Sequence, residues 1–171
     1  REDKALAEEL LADEKEVAEH RMLVDLGRND IGKIAQNNSV EVTKYMEVEY
    51  FRYVMHLTSV VRGQLLPQLT AMDALKSTLP AGTVSGAPKI RAMKRIYELE
   101  QEKRGVYAGA IGYLSATGDM DVAIAIRTMI LKNGRAYVQA GAGIVYDSIP
   151  ANEYQETINK AKSITKIGEM Q

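Results

Sequence analysis

The sequence contains no cysteine. This absence excludes a disulfide framework and any metal site that is built on thiolates. Proteins of oxidising compartments commonly depend on disulfides, so a chain of this composition fits a reducing one. We therefore expect a cytoplasmic protein.

The chain also lacks an excess of charge of either sign, since 22 Lys and Arg stand against 23 Asp and Glu. Duplex-binding proteins neutralise phosphates with clustered Lys and Arg, so we expect no nucleic-acid partner. No apolar run is long enough to span a bilayer, and the charged residues 1–4 do not resemble a signal peptide. We therefore expect no membrane association. The chain begins with Arg1 instead of Met, which suggests a processed or excised chain.

Length and hydropathy predict one domain with a real core, because 46% of the 171 residues are hydrophobic. Helical periodicity runs from Asp3 to about Ala35, and β-forming residues dominate from Val40 to Leu65. Shorter helices are predicted over 71–77, after Pro88, and from Pro150 to about Ile167. The chain thus mixes helices and strands.

The clearest strand signals lie between these helices. Strands are predicted over 106–116, 122–131 and 135–140, and Asn133-Gly134 predicts a tight hairpin because both residues tolerate positive φ. In the middle strand Arg127 shares a face with small residues. An arginine in such a groove has few structural duties, so we interpret it as an anion-binding residue that grips a carboxylate.

Glycine and proline punctuate residues 79–93, where Thr83 and Ser85 add hydroxyl groups. Glycines allow close approach of the backbone, and the N–H groups at the start of the following helix favour anions. The stretch could hold a carboxylate or phosphate. It fits a connection without a ligand equally well, since no phosphate-loop or dinucleotide motif is present.

Two acidic pairs have the same spacing on different helices: Glu16 with Glu19, and Glu153 with Glu156. Each pair shares one helical face. Taken singly, each is best read as a solvated face. If the two pairs face one another, however, their like charges require a cation, and Mg²⁺ prefers such hard oxygen ligands. A lone histidine on a strand, such as His56, is more often structural than catalytic unless other polar groups converge on it.

Five blocks of sequence, taken together, are similar to the large subunit of anthranilate synthase, a chorismate-binding enzyme. They run from Asp13 to Asp30, Val54 to Leu57, Pro80 to Lys89, Gln139 to Ile144 and Glu153 to Thr157. The form Gly82-Thr83-Val84-Ser85 separates the chain from isochorismate and salicylate synthases. Aminodeoxychorismate synthase component I is the alternative.

The resemblance implies an α+β fold in which two β-sheets are sandwiched between helical layers. Carried over by position, it makes Glu19 and Glu156 the ligands of Mg²⁺, with Glu16 and Glu153 beside them through water. His56 matches a histidine near the reacting ring and becomes the expected catalytic residue. Substrate contacts are implied for seven positions: Thr83, Tyr107, Arg127, Gly141, Ala142, Gly143 and Lys160.

The implied reaction converts chorismate to anthranilate and pyruvate, the first step of tryptophan biosynthesis. Ammonia comes from glutamine through an amidotransferase subunit, which is an expected partner. Members of the family are much longer, so residues 1–171 are expected to be the C-terminal portion of a chorismate-binding domain. The N-terminal portion is the second expected partner. An isolated piece that keeps only part of the binding site, without catalysis, is a further alternative.

Overall fold

The computed structural model describes residues 2–50 and 55–165. The chain divides into two compact units, 1–78 and 79–171, and each is described by itself. Because two compact units can belong to one folding domain, the single domain predicted from length stays a prediction. Val54 and Ile167, which bounded sequence-based predictions, lie outside the described residues.

Over its described residues, 2–50 and 55–78, the first unit contains three helices and a β-hairpin. Its elements in order are α1 (Glu2–Ala12), α2 (Glu14–Gly32), β1 (Glu41–Tyr50), β2 (Met55–Arg62) and α3 (Ala71–Thr78). The strand character predicted from Val40 to Leu65 is confirmed as an antiparallel pair.

The helical pattern predicted from Asp3 to about Ala35 is confirmed, and it is divided into two helices. Asp13 separates them with an extended backbone, and its carboxylate accepts a hydrogen bond of 3.0 Å from the backbone N–H of Glu16. Aspartate is among the strongest N-cap residues, since its side chain satisfies an N–H that the new helix leaves unpaired. Cap chemistry therefore overrides the apolar periodicity at this point.

The core of this unit lies where α2 meets β2 and the segment that follows the helix. Val24, Leu26 and Ala35 are buried. Asp30 is only 4% exposed, and its carboxylate lies 3.0 Å from the ammonium group of Lys33. Ser77 of α3 donates a hydrogen bond of 2.8 Å to the backbone carbonyl of Asp30, which ties α3 to the end of α2.

As far as residue 165, where its description ends, the second unit consists of helices and two hairpins. Its elements are α4 (Gly82–Ser85), α5 (Lys89–Leu99), β3 (Ala110–Leu114), β4 (Met120–Ile124), β5 (Met129–Lys132), β6 (Arg135–Val138) and α6 (Pro150–Thr165). The helix predicted after Pro88 is confirmed, with Pro88 as its N-cap. The stretch predicted as a loop includes the short helix α4.

The predicted middle strand over 122–131 is wrong, because it is two strands of different hairpins. Strand β4 pairs with β3, and β5 pairs with β6. Between them Arg127 has a φ of 52°, which lies in the left-handed region and outside the extended β region. Arg127 therefore lies in a turn and not on the face of a strand, and the groove of small residues predicted around it is not formed by one strand.

The hairpin predicted at Asn133-Gly134 is confirmed. Lys132 pairs with Arg135 across a two-residue turn, and Asn133 and Gly134 have φ values of 53° and 71°. These angles are those of a type I′ turn, whose twist matches the strands it joins. The Asn-Gly dipeptide alone was sufficient to predict this turn.

The α+β class predicted from the resemblance is confirmed by this mixture of helices and antiparallel hairpins. Much apolar surface is exposed: all five residues of β3 are exposed, and Tyr97 and Leu99 of α5 are 88% and 78% exposed. None of the described helices combines the length and apolar character needed to cross a bilayer.

Gly63, which follows β2, offers a test of the first unit. A Cβ at this position would lie 2.6 Å from Ile31 Cγ2 and 2.9 Å from Ala35 Cβ. Gly63→Ala should therefore overpack the contact and lower the free energy of unfolding by about 1–3 kcal/mol. Urea denaturation followed by circular dichroism measures this change.

Gly32→Ala is the matched control, because a Cβ there meets nothing within 4 Å. In a helix this substitution should stabilise by about 0.4–1 kcal/mol. Equal unfolding midpoints for the two variants would contradict the predicted contact around Gly63.

Candidate functional site

A tight turn between α5 and β3 positions Tyr107. Its backbone N–H donates to the carbonyl of Arg104 at 3.1 Å. Two backbone hydrogen bonds to Ala125 stabilise this turn. Ala125 accepts one from the Ala108 N–H at 3.1 Å and donates the other to the Gly109 carbonyl at 2.9 Å. Ala125 is 2% exposed. The Tyr107 turn is therefore held next to the turn that carries Arg127.

The phenol of Tyr107 lies against the glycine segment 139–145, which has no regular secondary structure. A Cβ added to Gly141 would lie 3.0 Å from the Tyr107 hydroxyl oxygen, so a side chain at this position would press on the phenol. Burial raises the pKa of Tyr107, while the positive charges of Arg104 and Arg127 act in the opposite direction. The phenol thus stays protonated at neutral pH and can donate a hydrogen bond.

Lys160 on α6 connects this segment to the second acidic pair. Its ammonium group donates a hydrogen bond of 3.2 Å to the Gly141 carbonyl and forms an ion pair with Glu156, one turn earlier on the helix. Pairwise contacts within this unit therefore connect four of the predicted site residues: Tyr107, Gly141, Lys160 and Glu156. Their roles stay predictions.

An open pocket of about 330 Å³ lies beside the same segment. Its lining includes Ala142, Val145, Ser148, Glu153 and Thr157. Glu153 is only 4% exposed, so its carboxylate faces the interior, unlike an ordinary solvated helix face. The pocket combines one buried carboxylate with apolar walls, which is typical of a small-molecule site.

Thr83 lies on α4 and is exposed. The helix ends at Gly86, whose φ of 82° favours glycine. Ser85 is 3% exposed, and its hydroxyl donates to the Ala81 carbonyl at 3.0 Å. In this single turn Thr83 is therefore exposed to solvent, while the buried Ser85 stabilises the turn through its hydrogen bond to Ala81.

Arg104 is a residue of this unit that sequence reasoning missed. Its guanidinium donates to the Val84 carbonyl at 2.6 Å and to both carboxylate oxygens of Glu100 at 2.8 and 2.6 Å. The carbon at its centre lies 5.5 Å from the centre of the Tyr107 ring. The i,i+4 spacing of Glu100 and Arg104 was the available signal.

The other predicted residues belong to the first unit. Glu16 and Glu19 lie one turn apart on α2, Glu16 exposed and Glu19 half-buried. The neighbouring His20 Nε2 lies 2.7 Å from the Ser59 hydroxyl on β2, and burial lowers the pKa of this histidine. The pair is therefore presented from a helix that a hydrogen bond fixes to the hairpin.

His56, the predicted catalytic residue, lies on β2 directly opposite Glu49 of β1 and is exposed. Within either unit, the residues that the structure describes form no cluster of three or more His, Asp or Glu side chains suited to a metal ion. Each unit by itself supplies two glutamates at the predicted spacing. The Mg²⁺ site therefore stays a prediction.

Comparison with known proteins identifies the family. The model for the chorismate binding enzyme family matches residues 1–166. Anthranilate synthase component 1 of Lactococcus lactis is 66% identical over 98% of this chain, and that of Aquifex aeolicus is 58% identical over 96%. The chain spans only 37% and 33% of the length of these two curated relatives.

A solved structure agrees with the sequence comparison. The crystal structure of anthranilate synthase component I from Streptococcus pneumoniae matches 96% of this chain with a TM-score of 0.91 and 86% identity. The match covers 38% of that protein, and it confirms the predicted fold. The chain belongs to the family of chorismate binding enzymes.

Proposed function

We propose that this chain supplies chorismate- and Mg²⁺-binding residues of an anthranilate synthase component 1. The complete enzyme would convert chorismate and ammonia to anthranilate and pyruvate, with the ammonia released from glutamine by an amidotransferase subunit. The observation that carries the proposal is the 66% identity to the L. lactis enzyme over 98% of this chain. The linked residues Tyr107, Gly141 and Lys160 support it independently.

The substrate is a dicarboxylate, and the second unit supplies groups that suit its charges. Arg127 is exposed in its turn, and its planar guanidinium can hold one carboxylate through two parallel hydrogen bonds. Backbone N–H groups of Gly141, Ala142 and Gly143 can donate to the other end of the substrate, and the protonated Tyr107 phenol adds a further donor. Lys160 contributes positive charge beside them, and Thr83 a hydroxyl group.

The donor set fits Mg²⁺. All four predicted positions, Glu16, Glu19, Glu153 and Glu156, are carboxylates, the hard oxygen ligands that this ion takes. Glu153 is 4% exposed, and a buried carboxylate gains most from a nearby cation. Glu19 and Glu156 would hold the ion directly, with Glu16 and Glu153 acting through water. When bound, Mg²⁺ would neutralise a substrate carboxylate and favour loss of the ring hydroxyl.

His56 would act on the departing hydroxyl group as a proton donor or a hydrogen-bond donor. It lies at the surface of β2 opposite Glu49. General acid assistance of this kind typically contributes 10²–10⁴-fold to rate. The remainder of a longer chain and the amidotransferase subunit are the proposed partners.

Aminodeoxychorismate synthase component I is the second candidate, since it acts on the same substrate with ammonia at a different ring position. The high identity to three anthranilate synthase chains favours the first. Analysis of the product by its fluorescence and mass decides between them.

Glu156→Gln should abolish the Mg²⁺ dependence of chorismate binding while leaving the fold intact. The amide keeps the shape of the side chain but loses the charge that attracts a dication. We expect Mg²⁺ affinity, measured by calorimetry with chorismate present, to fall by at least the roughly 10- to 100-fold that loss of a group supporting a metal ligand typically costs.

Glu98→Gln is the matched control for this experiment. Glu98 also pairs with a basic residue on its own helix, Arg95, but the pair is exposed. It should leave Mg²⁺ affinity unchanged. If Glu156→Gln leaves the Mg²⁺ affinity at the parent value, Glu156 is not a ligand.

Arg127→Lys should not be conservative, because lysine keeps the charge but loses the bidentate grip. Loss of one charge-assisted hydrogen bond predicts chorismate affinity reduced by about tenfold or more. Equilibrium dialysis measures it, and Arg135→Lys on the exposed face of β6 is the control. An unchanged dissociation constant for Arg127→Lys refutes the assignment.

The chain alone should fold but form little or no anthranilate. The curated relatives carry most of their length outside the matched region, and the exposed strand β3 offers an edge for pairing between chains. We expect oligomers or an exchanged arrangement in sedimentation, and no fluorescent product from chorismate, Mg²⁺ and ammonia.

In a complementation experiment, the unmatched part of the L. lactis enzyme is added as a separate polypeptide. This addition should restore anthranilate formation. A monomer of the 171-residue chain that turns over chorismate at a rate typical of the family would show that the additional residues are dispensable.

A further inference from the structure

Arg104 connects three parts of the second unit. One guanidinium nitrogen donates to the Val84 carbonyl in α4 at 2.6 Å, and two others grip the Glu100 carboxylate after α5 at 2.8 and 2.6 Å. The same group lies over the Tyr107 ring at 5.5 Å. One side chain therefore contacts the α4 turn, the end of α5 and the Tyr107 turn.

This arrangement differs from an ordinary surface ion pair. The Arg104 side chain is 24% exposed, whereas Arg95, which pairs with Glu98 on α5, is 59% exposed. An exposed pair contributes little because water screens it and its side chains lose entropy. The bidentate contact of Arg104, together with a backbone carbonyl and an aromatic face, fixes the plane of the guanidinium.

The two elements that Arg104 joins both carry predicted substrate contacts. Thr83 adjoins Val84 on α4, and the Tyr107 phenol lies against Gly141. We propose that Arg104 is a positioning residue of the chorismate site, holding the Tyr107 ring and the α4 turn in fixed relation through its planar guanidinium. The substrate named in this proposal rests on the proposed function, whereas the positioning of Tyr107 does not.

The charges that face Tyr107 make its titration a reporter of this arrangement. They are Arg104 and Arg127, which lower the pKa of the phenol, and Glu100, which raises it; burial raises it most. Removing the Arg104 cation removes one of the two positive charges that counteract the effects of burial and of Glu100 on the Tyr107 pKa. The Tyr107 pKa should then rise further, and the ring should lose the guanidinium that lies over it.

The first measurement is a titration of Cζ-labelled tyrosines by NMR in the 171-residue chain, with Tyr107 assigned through Tyr107→Phe. In Arg104→Gln the Tyr107 pKa should rise above that of the parent, while Arg95→Gln on α5 should leave it unchanged. An unaltered Tyr107 titration in Arg104→Gln overturns the proposal.

The second measurement is chorismate affinity by equilibrium dialysis. Arg104→Gln should weaken binding by about ten- to hundredfold, the cost of misplacing contact residues by a fraction of an ångström to an ångström. Arg104→Lys should not restore chorismate affinity, because lysine retains the charge but lacks the planar guanidinium. Full rescue by lysine would show that a point charge suffices, and the positioning role would be wrong.

Glu100→Gln provides a second variant in case Arg104→Gln does not fold. It keeps the cation but removes its bidentate partner, so chorismate affinity should fall while the circular dichroism spectrum stays that of the parent. Unchanged affinity in this variant counts against the proposal. If the parent chain binds no chorismate even when the unmatched part of the L. lactis enzyme is added, the proposed function fails, and the Tyr107 titration alone decides the role of Arg104.

Discussion

The arrangement of the second unit depends on one backbone exchange, in which Ala125 accepts from Ala108 N–H and donates to the Gly109 carbonyl. Ala125 is 2% exposed, so these groups would otherwise be buried without partners, at a cost of about 1–3 kcal/mol each. The exchange brings the Tyr107 turn and the Arg127 turn side by side. Two of the residues proposed to hold the substrate, Tyr107 and Arg127, are thus carried by turns that adjoin the paired strands.

The features predicted from sequence were those with a local cause. The Asn133-Gly134 turn needs only two residues that tolerate positive φ, and α6 carries Glu153 and Glu156 on one face because a helix repeats every 3.6 residues. Their unequal burial, with Glu153 at 4% exposure, depends on the neighbouring glycine segment, which spacing alone does not describe. The resemblance to a family added residue roles that no local signal contained.

The features that sequence could not predict are set by contacts between distant residues. The run from Val122 to Leu131 is rich in β-branched residues and contains neither Gly nor Pro, yet it breaks where Ala125 pairs with residues 108 and 109. Propensity is a weak guide when tertiary hydrogen bonds compete with it. Arg104 was overlooked for the same reason, because its bond to Val84 spans 20 residues.

Backbone strain at the two turns gives the Arg127 assignment its energetic argument. Ala108 and Arg127 have φ values of 67° and 52°, and a non-glycine residue in this region costs on the order of 1–3 kcal/mol. Glycine would remove that cost at position 127, where the side chain is exposed and contributes little to burial. Burial of the Arg127 side chain does not offset this backbone cost, and binding of an anion is the contribution that the proposed function assigns to its guanidinium. A substrate carboxylate is the anion that the proposed function provides.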